Sequence, residues 1–309
     1  MLEIKRTNGQ YFTEVNPFNN IGFLKWAELS NLKNSTILEP FAGSNNLIKM
    51  LQQMDLCSSF VSYDIHPKDN LVATKNTLLD FPIGYKVCIT NPPYLAKNSA
   101  KRQGFVFPET SYDDLYKLAL SKCLENCDYV AAIIPASFLN THLFRSRLSD
   151  YVLITDKLFN ETFHPVCLAL FKPNSNDVDV FEQTKYLGKL SYFESMLPIE
   201  SPSIKLKFND PTGSLGLIAI DNTLGPSIRF CKGSDLCSDK IRVSSRSITR
   251  ISLDAEINTL LPKLNKKLKE FREDTHDLFL TPFKSLRKDN RYRRRLDYSL
   301  AKALISSIL

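Results

Sequence analysis

The tetrapeptide Asn91-Pro92-Pro93-Tyr94 directly follows the apolar run from Lys86 to Thr90, and its residue types suit one kind of chemistry. The prolines restrict φ and carry no N–H, so nearby backbone carbonyls lack a local donor. The Asn91 amide oxygen and such a carbonyl can together accept both hydrogens of a planar NH2 group. That arrangement would draw the nitrogen towards a tetrahedral state, so that its lone pair could attack a methyl sulfonium. Tyr94 offers an aromatic face for a planar ring.

A second candidate loop spans Ile37-Leu38-Glu39-Pro40-Phe41-Ala42-Gly43-Ser44-Asn45-Asn46 and has the pattern of a strand, a tight turn and a helix. Small residues stand where a bound cofactor must approach the backbone. The loop lacks the GxGxxG pattern of dinucleotide-binding proteins. Asn45, which tolerates left-handed backbone angles, stands where a second glycine is expected. Glu39 is either a buried structural carboxylate or an acceptor for a cofactor ammonium group.

Acidic residues in the next two loops add to this pattern. Asp64 ends the following strand, where an acid in βαβ folds binds ribose hydroxyls. Asp80 and Phe81 follow in a third loop and combine a carboxylate for an adenine amino group with an aromatic for its ring. Because parallel strands end at one edge of a sheet, we expect all these loops to meet there.

Strand-like and helix-like segments alternate through the first part of the chain, which predicts an α/β fold with a mainly parallel sheet. The predicted strands are 35–38, 60–64, 86–90, 129–135 and 166–171, and the predicted helices are 45–54 and 112–126. After a polar connector this rhythm fades into short strands (216–220 and 240–243) and two helical stretches (253–272 and 297–309). We therefore predict two domains, residues 1–174 and a smaller α+β domain of residues 175–309.

The net charge of +7 is concentrated near one end of the sequence. Residues 1–260 carry 27 basic and 27 acidic side chains, whereas residues 261–309 carry 13 and 6. Such a concentration suits a polyanion, although a solvated helix face or a disordered tail would also explain it. The candidate DNA-binding residues of this segment are Lys284, Arg287, Lys288, Arg291, Arg293, Arg294 and Arg295. A long polar loop after Tyr94 adds Lys97, Lys101 and Arg102.

Composition excludes several classes of protein. The apolar runs are too short to span a bilayer, and the N-terminal residues lack the apolar region of a signal peptide. Seven scattered cysteines without CxxC spacing, and four histidines without ligand spacing, indicate neither a disulfide framework nor a metal site. We expect a cytoplasmic protein with reduced thiols.

Taken together, these motifs resemble the gamma-class DNA adenine-N6 methyltransferases of type II restriction–modification systems. Gly9-Gln10-Tyr11-Phe12-Thr13 resembles the N-terminal cofactor-packing motif of that class, and Tyr129 to Leu139 matches the strand and loop after the catalytic segment. Glu161-Thr162-Phe163-His164-Pro165 resembles the segment whose aromatic supports the target base. The order of motifs is that of the gamma arrangement, and the resemblance covers about residues 7–172.

The resemblance implies a Rossmann-like domain with a seven-stranded, mainly parallel sheet that binds S-adenosyl-L-methionine, and a C-terminal DNA-recognition domain. Its implied catalytic residues are Asn91, Pro92, Pro93 and Tyr94, with Tyr94 and Phe163 stacking on a flipped-out adenine. The implied cofactor-binding residues are Tyr11, Thr13, Glu39, Pro40, Phe41, Ala42, Gly43, Asp64, Ile65, Asp80, Phe81 and Asn91. The implied partners are double-stranded DNA and a cognate restriction endonuclease, and the protein would act as a monomer or homodimer without a metal.

Other functions remain compatible with the tetrapeptide. It also occurs in ribosomal RNA guanine methyltransferases and in enzymes that methylate a glutamine of release factors. An RNA adenine or guanine methyltransferase is the main enzymatic alternative, because the length of chain on either side of the motifs disfavours the protein-glutamine class. A DNA-binding relative without catalytic activity is the non-enzymatic alternative, and the intact tetrapeptide argues against it.

Overall fold

The computed structural model describes residues 13–309, apart from 157, 160–163, 238, 240 and 242–244. The chain forms two compact units, Met1–Leu190 and Ser191–Leu309. Our division after residue 174 lies earlier, at the polar connector. After that connector the chain forms a hairpin that joins the first sheet. The strands of this hairpin are short, so the sequence pattern did not predict that they pair with the sheet. Among the described residues, no helix combines the length and apolar character needed to cross a membrane.

The first unit contains a nine-stranded sheet in its described residues, with the order β3-β2-β1-β4-β5-β7-β6-β8-β9. The strands are β1 (Thr36–Glu39), β2 (Ser59–Asp64), β3 (Val72–Thr74), β4 (Val87–Thr90), β5 (Tyr129–Pro135), β6 (Leu148–Ile154), β7 (Val166–Phe171), β8 (Asp179–Glu182) and β9 (Lys185–Lys189). The five adjacent strands β3, β2, β1, β4 and β5 pair in parallel. Strand β7 is antiparallel to both of its neighbours, β5 and β6. The predicted α/β fold with a mainly parallel sheet is confirmed, and the β8–β9 hairpin extends the expected seven strands.

Two helices of the first unit begin at a side-chain cap. The helices of this part of the chain are α1 (Ile21–Leu29), α2 (Asn46–Gln53), α3 (Lys97–Arg102), α4 (Leu115–Asn126) and α5 (Leu190–Glu194). The Phe23 N–H donates to Asn20 Oδ1 (2.8 Å) at the start of α1. From α1, Trp26 packs into the core and donates its Nε1–H to the Phe171 carbonyl (2.9 Å). Burial of this large ring therefore ties α1 to β7.

The order of the strands in the sheet reverses at β1. On one side β1 pairs with β2, in the register Glu39↔Ser62, and on the other it pairs with β4, in the register Leu38↔Cys88. The loops after β1 and β4 therefore diverge to opposite sides, which opens a crevice at the carboxyl ends of the strands. This is where the predicted loops lie.

The second unit has an α+β architecture, as predicted. Its described strands form a four-stranded antiparallel sheet, β10-β13-β11-β12, and a separate β14–β15 hairpin. These strands are β10 (Lys207–Phe208), β11 (Leu215–Ile218), β12 (Arg229–Lys232), β13 (Ile248–Ser252), β14 (Thr281–Leu286) and β15 (Tyr292–Arg295), and the helices are α6 (Ile257–Asp274) and α7 (Tyr298–Ser306). The predicted strand 240–243 lies largely outside the described residues. Leucines of the sheet and of α6 share one apolar core.

A buried carboxylate organises the second unit. Asp221 is fully buried and accepts three hydrogen bonds on each oxygen. The donors are the Ser227, Ile228 and Arg294 backbone N–H groups, Arg272 Nη1 and Nη2, and Arg287 Nη1. Burial opposes ionisation of Asp221, but the Arg272 hydrogen bond, the Ser227 N–H and the Arg272 charge keep its pKa below the ordinary value. Arg272 also donates to the Asp277 carboxylate, and Arg287 also donates to the Asp289 carboxylate. We call these five side chains (Asp221, Asp277, Asp289, Arg272 and Arg287) the Asp221 cluster.

This cluster corrects part of the DNA-binding prediction. Arg287 and Arg294 are buried, with only 4% and 5% of their surface exposed. Arg287 is committed to three aspartates, so it cannot offer its guanidinium to a phosphate as it stands. Arg293 and Arg295 are half-buried and donate to the Asp221 carbonyl and the Asp297 carboxylate. Much of the basic segment thus stabilises the unit, whereas Lys284, Lys288 and Arg291 remain exposed.

We expect Asp221→Ala to lower the free energy of unfolding by about 3–5 kcal/mol, because it leaves buried arginine charge without a counterion. Urea denaturation of the full chain measures this loss. Asp254→Ala removes an exposed aspartate of the same unit and serves as the matched control, with an expected change within about 0.5 kcal/mol. Equal effects of the two substitutions would contradict the structural role of Asp221.

Candidate functional site

A cavity of ≈ 410 Å³ opens at the carboxyl edge of the first sheet. Four loops supply its walls, those after β1, β2, β3 and β4, together with Thr13. Nine of the residues proposed from the sequence lie in this wall: Thr13, Glu39, Phe41, Ala42, Gly43, Asp64, Ile65, Asn91 and Pro93. The structure therefore brings most of the proposed cofactor-binding and catalytic residues to one place.

The loop after β1 turns sharply through two left-handed residues. Gly43 has φ 53° and Asn45 has φ 59°, so Asn45 adopts the conformation for which the sequence suggested it was suited. The Asn45 N–H donates to the Ala42 carbonyl (2.7 Å), and its side-chain oxygen accepts from the Ser62 hydroxyl (2.8 Å). Pro40 lies behind this turn, where its carbonyl accepts from the Thr77 hydroxyl (2.7 Å). The turn is consequently fixed to the neighbouring strand and loop.

Asp64 joins the loops after β1 and β2. One carboxylate oxygen accepts from the Gly43 N–H (2.9 Å) and the other from the His66 N–H (2.7 Å). These bonds hold the carboxylate in the cavity wall, with 6% of the residue exposed. A carboxylate has about four acceptor positions, so an oriented Asp64 is suited to binding hydroxyl groups of a ligand.

Glu39 is a buried acid of this wall whose hydrogen bonding is incomplete. It is 1% exposed, and Oε1 accepts one long bond from the Phe41 N–H (3.4 Å). Within the described part of the chain, Oε2 has no hydrogen-bond partner. Burial raises the pKa of Glu39 to about 8, an effect that the Thr90 hydroxyl and the Phe41 N–H oppose and the nearby Asp64 charge increases. An unsatisfied buried carboxyl group is costly, and a cationic donor in the cavity would stabilise it.

Asn91 follows the last residue of β4 and connects three parts of the site. Its Nδ2 donates to the Thr13 hydroxyl (3.3 Å), and its Oδ1 accepts from the Tyr94 hydroxyl (2.7 Å). The Thr13 carbonyl in turn accepts from the Asn46 side chain at the start of α2 (2.8 Å). These contacts fix the Asn91 amide plane and tie Thr13 to both the first loop and the tetrapeptide.

The Tyr94 hydroxyl has a second acceptor, the Ile133 carbonyl of β5 (2.7 Å). Its ring packs edge-on against Tyr116 and Phe159 and lies at 37° to His164, with a centroid separation of 6.0 Å. Tyr94 is thus held at the carboxyl edge of β4 and β5. Pro92 is buried next to it, whereas Pro93 reaches the cavity. The proposed residues Tyr11 and Phe163 lie outside the described residues.

The loop after β3 contributes residues to the cavity wall that differ from those proposed from the sequence. Asp80 is exposed and pairs with Lys75 (2.9 Å), and neither Asp80 nor Phe81 belongs to the cavity wall as described. The turn places Asn76, Thr77 and Leu78 there instead. The Asp80 N–H donates to the Asn76 carbonyl (3.1 Å), which directs the end of this turn away from the cavity.

The loop after Tyr94 is anchored at both ends. Leu95 N–H donates to the Asp114 carboxylate (3.2 Å), and the Lys97 N–H donates to the Asp113 carbonyl (2.8 Å). Between these anchors Phe105, Val106 and Pro108 contribute to the cavity wall, although Val106 is 95% exposed. The three proposed DNA-binding residues of this loop, Lys97, Lys101 and Arg102, are exposed on α3.

Several wall residues were not found from the sequence. Asn76, Thr77 and Leu78 follow a strand of only three residues, too short to give a periodic pattern. Phe105 and Val106 are apolar residues in a mostly polar loop. Their apolar character was the feature of the sequence that could have identified them as wall residues. Among the described residues, no three His, Cys, Asp or Glu side chains group in a way that could hold a metal ion.

We expect Glu39→Gln to stabilise the protein more at high pH than at low pH. The folded-state pKa is raised, so the unfolded chain ionises first, and the contribution of Glu39 to stability is lost as the pH rises from ~pH 5 to ~pH 8. Glutamine removes this dependence. The difference in melting temperature between variant and wild type, measured across this interval, should therefore grow with pH. A difference independent of pH would show that Glu39 is not buried in its neutral form.

No protein-family model and no curated protein matches the chain. Solved structures resemble part of it. A candidate class I S-adenosylmethionine-dependent methyltransferase from Listeria monocytogenes shares 15% identity over 54% of this chain and 67% of its own, with a TM-score of 0.36. A type I restriction-modification methyltransferase subunit from Streptococcus thermophilus shares 15% identity over 63% of this chain and 54% of its own (TM-score 0.38). The modification subunit of a candidate type I restriction enzyme from Vibrio vulnificus shares 15% over 58% and 49% (TM-score 0.37). The chain thus spans about half the length of the last two proteins.

Proposed function

We propose that this protein is an S-adenosylmethionine-dependent methyltransferase that modifies N6 of adenine in double-stranded DNA. The observation that carries the proposal is the position of the tetrapeptide. Asn91 and Pro93 line the same cavity as Glu39, Gly43 and Asp64, at the reversal point of the sheet. An amine-binding motif and a cofactor-binding edge therefore share one space, as transfer between two bound molecules requires.

The wall residues suit S-adenosylmethionine. Glu39 Oε2, buried and without a partner among the described residues, would accept from the methionine ammonium. Asp64 would bind ribose hydroxyls, and the left-handed Gly43 allows close approach of a ligand to the backbone. When bound, the cofactor supplies an electrophilic methyl group on a sulfonium. Asn76 and Leu78, rather than Asp80 and Phe81, are placed to surround its adenine.

Asn91 would act on the accepting amine. Its amide plane is fixed by Thr13 and Tyr94, so Oδ1 is held in one direction at the end of β4. Tyr94 has a single hydroxyl proton and two acceptors, so it can donate to Ile133 while Asn91 Oδ1 accepts from the substrate. With the Pro92 carbonyl as a second acceptor, both amine hydrogens would be held and the nitrogen lone pair would be directed at the methyl group.

An adenine amino group cannot enter such a cavity from within a duplex, so we infer that the base is flipped out, at a cost of about a few kcal/mol. The exposed cations of α3 beside the cavity would bind the DNA backbone. The resemblance of the motif order to the gamma class supports adenine in DNA over other NH2 substrates. It also suggests membership of a restriction–modification system with a cognate endonuclease.

The test is transfer of a tritiated methyl group from S-adenosylmethionine to unmethylated genomic DNA, with mapping of the modified adenines. We expect transfer to duplex DNA by the wild type. Asn91→Ala should retain cofactor binding in a calorimetric titration but lose transfer by several orders of magnitude, because one acceptor for the reacting amine is removed.

Asn34→Ala is the matched control, because Asn34 is exposed and lies outside the cavity wall; its activity should equal that of the wild type. Near-normal turnover by Asn91→Ala would refute the catalytic assignment. Faster transfer to ribosomal or transfer RNA than to duplex DNA would replace the DNA substrate with RNA. Failure to bind S-adenosylmethionine would favour a relative without catalytic activity.

Cofactor binding should also depend on pH. Glu39 holds a proton below about pH 8, and a bound ammonium favours the ionised carboxylate, so binding releases a proton and strengthens as pH rises towards 8. Calorimetry in buffers of different ionisation enthalpy would count the released proton. Glu39→Gln should bind more weakly and lose the pH dependence, and an unchanged dependence in that variant would assign it to another group.

A further inference from the structure

Two turns lie next to each other in the second unit. One spans residues 222–226, between β11 and β12, and the other spans 287–291, between β14 and β15. The Lys288 N–H donates to the Thr223 carbonyl (2.9 Å), which joins them. We call residues 222–226 and 287–291 the paired turns.

The Asp221 cluster fixes the base of both turns. Asp221 accepts from the Ser227 and Ile228 N–H groups at the end of the first turn and from the Arg287 side chain at the start of the second. Each turn is also closed internally. Asn222 Oδ1 accepts from the Leu224 N–H (2.8 Å), and the Arg287 N–H donates to the Arg291 carbonyl (2.8 Å). A surface element held in this way loses little conformational freedom when it binds.

The paired turns expose side chains of the types that read DNA. Leu224 is 65% exposed, and Lys288, Asn290 and Arg291 are exposed as well. Arginine and lysine recognise the guanine edge, asparagine recognises the adenine edge, and apolar side chains contact the thymine methyl group. The one acid of these turns, Asp289, has both oxygens bound by Arg287, so the exposed charge is positive.

A groove of ≈ 590 Å³ beside the paired turns extends this surface. Arg291 and Pro226 line one side, and Lys269 on α6 lines the other. Glu273, 3.9 Å from Lys269, lines the same groove, so its charge is mixed, and the exposed cations nearest to it on the paired turns are Lys288 and Arg291. The buried Arg272 and Arg287 at this groove are already paired with aspartates, so contacts with DNA would come from the exposed side chains.

We propose that the paired turns read the target sequence of DNA. Arg291 and Asn290 contact base edges, Leu224 makes an apolar base contact, and Lys288 binds a phosphate. This inference rests on the proposed DNA methyltransferase function and adds to it the surface that determines sequence specificity. Within the basic segment, the buried arginines then stabilise the turns and the exposed residues contact DNA.

The experiment maps methylated adenines in unmethylated genomic DNA treated with the wild-type chain and with Arg291→Ala, Asn290→Ala and Lys288→Ala. Arg291→Ala and Asn290→Ala should each relax the preference at one base position of the target by about 10- to 100-fold. Lys288→Ala should weaken DNA binding equally at all sequences and reduce the salt slope by about one. Lys267→Ala, an exposed lysine of α6 that does not line the groove, is the control and should keep the wild-type pattern.

The outcomes separate the two proposals. Methylation of DNA by the wild type with an identical target pattern in the Arg291 and Asn290 variants would overturn the inference and leave the proposed function standing. Absence of methyl transfer to DNA by the wild type, or a preference for RNA, would overturn both. Circular dichroism of the variants, which change only exposed side chains, should match the wild type, so a changed pattern would not reflect misfolding.

Discussion

The parallel pairing of β1 with β2 on one side and β4 on the other is the constraint on which the site depends. Parallel strands end at the same edge, so the pairing alone brings Glu39, Asp64 and Asn91 to one edge from three separated parts of the chain. The reversal of strand order at β1 then provides the space between their loops. The hydrogen bonds between the strand backbones bring these residues together, so no contact between the three side chains is needed to assemble the cavity.

Three buried carboxylates show how different partners give different chemistry. Asp221 is surrounded by arginines and N–H groups, and its pKa is lowered. Asp64 accepts from two backbone donors and holds two loops together. Glu39 has neither kind of compensation at Oε2, and burial raises its pKa. A buried acid that is surrounded by donors stays ionised, whereas one without them takes up a proton and keeps an oxygen available for a ligand. That contrast separates Asp221, which builds the second unit, from Glu39 and Asp64, which we assign to ligand binding.

The predictable and unpredictable parts of this structure differ in the range of their contacts. Continuous apolar runs defined β5 and β7 with the bounds that the structure has, and turn residues located the loops after β1 and β4. The three-residue β3 had no pattern, so the sequence pointed to Asp80, which lies outside the cavity wall, and not to Asn76, which lies in it. Arg287 was misassigned because its partner Asp221 is 66 positions away, and local charge carries no information about such a pairing.

In the proposed reaction, the hydrogen bonds of Asn91 also determine how tightly the site would hold its substrate. Asn91 already accepts from Tyr94 and donates to Thr13, so binding an amine exchanges hydrogen bonds rather than adding them. The value of the arrangement therefore lies in direction: Thr13 and Ile133 keep the Asn91 and Tyr94 side chains oriented whether or not the substrate is bound. In the proposed reaction little reorganisation would then be required in the transition state, so the fixed amide would favour the rate of transfer more than the affinity for the substrate.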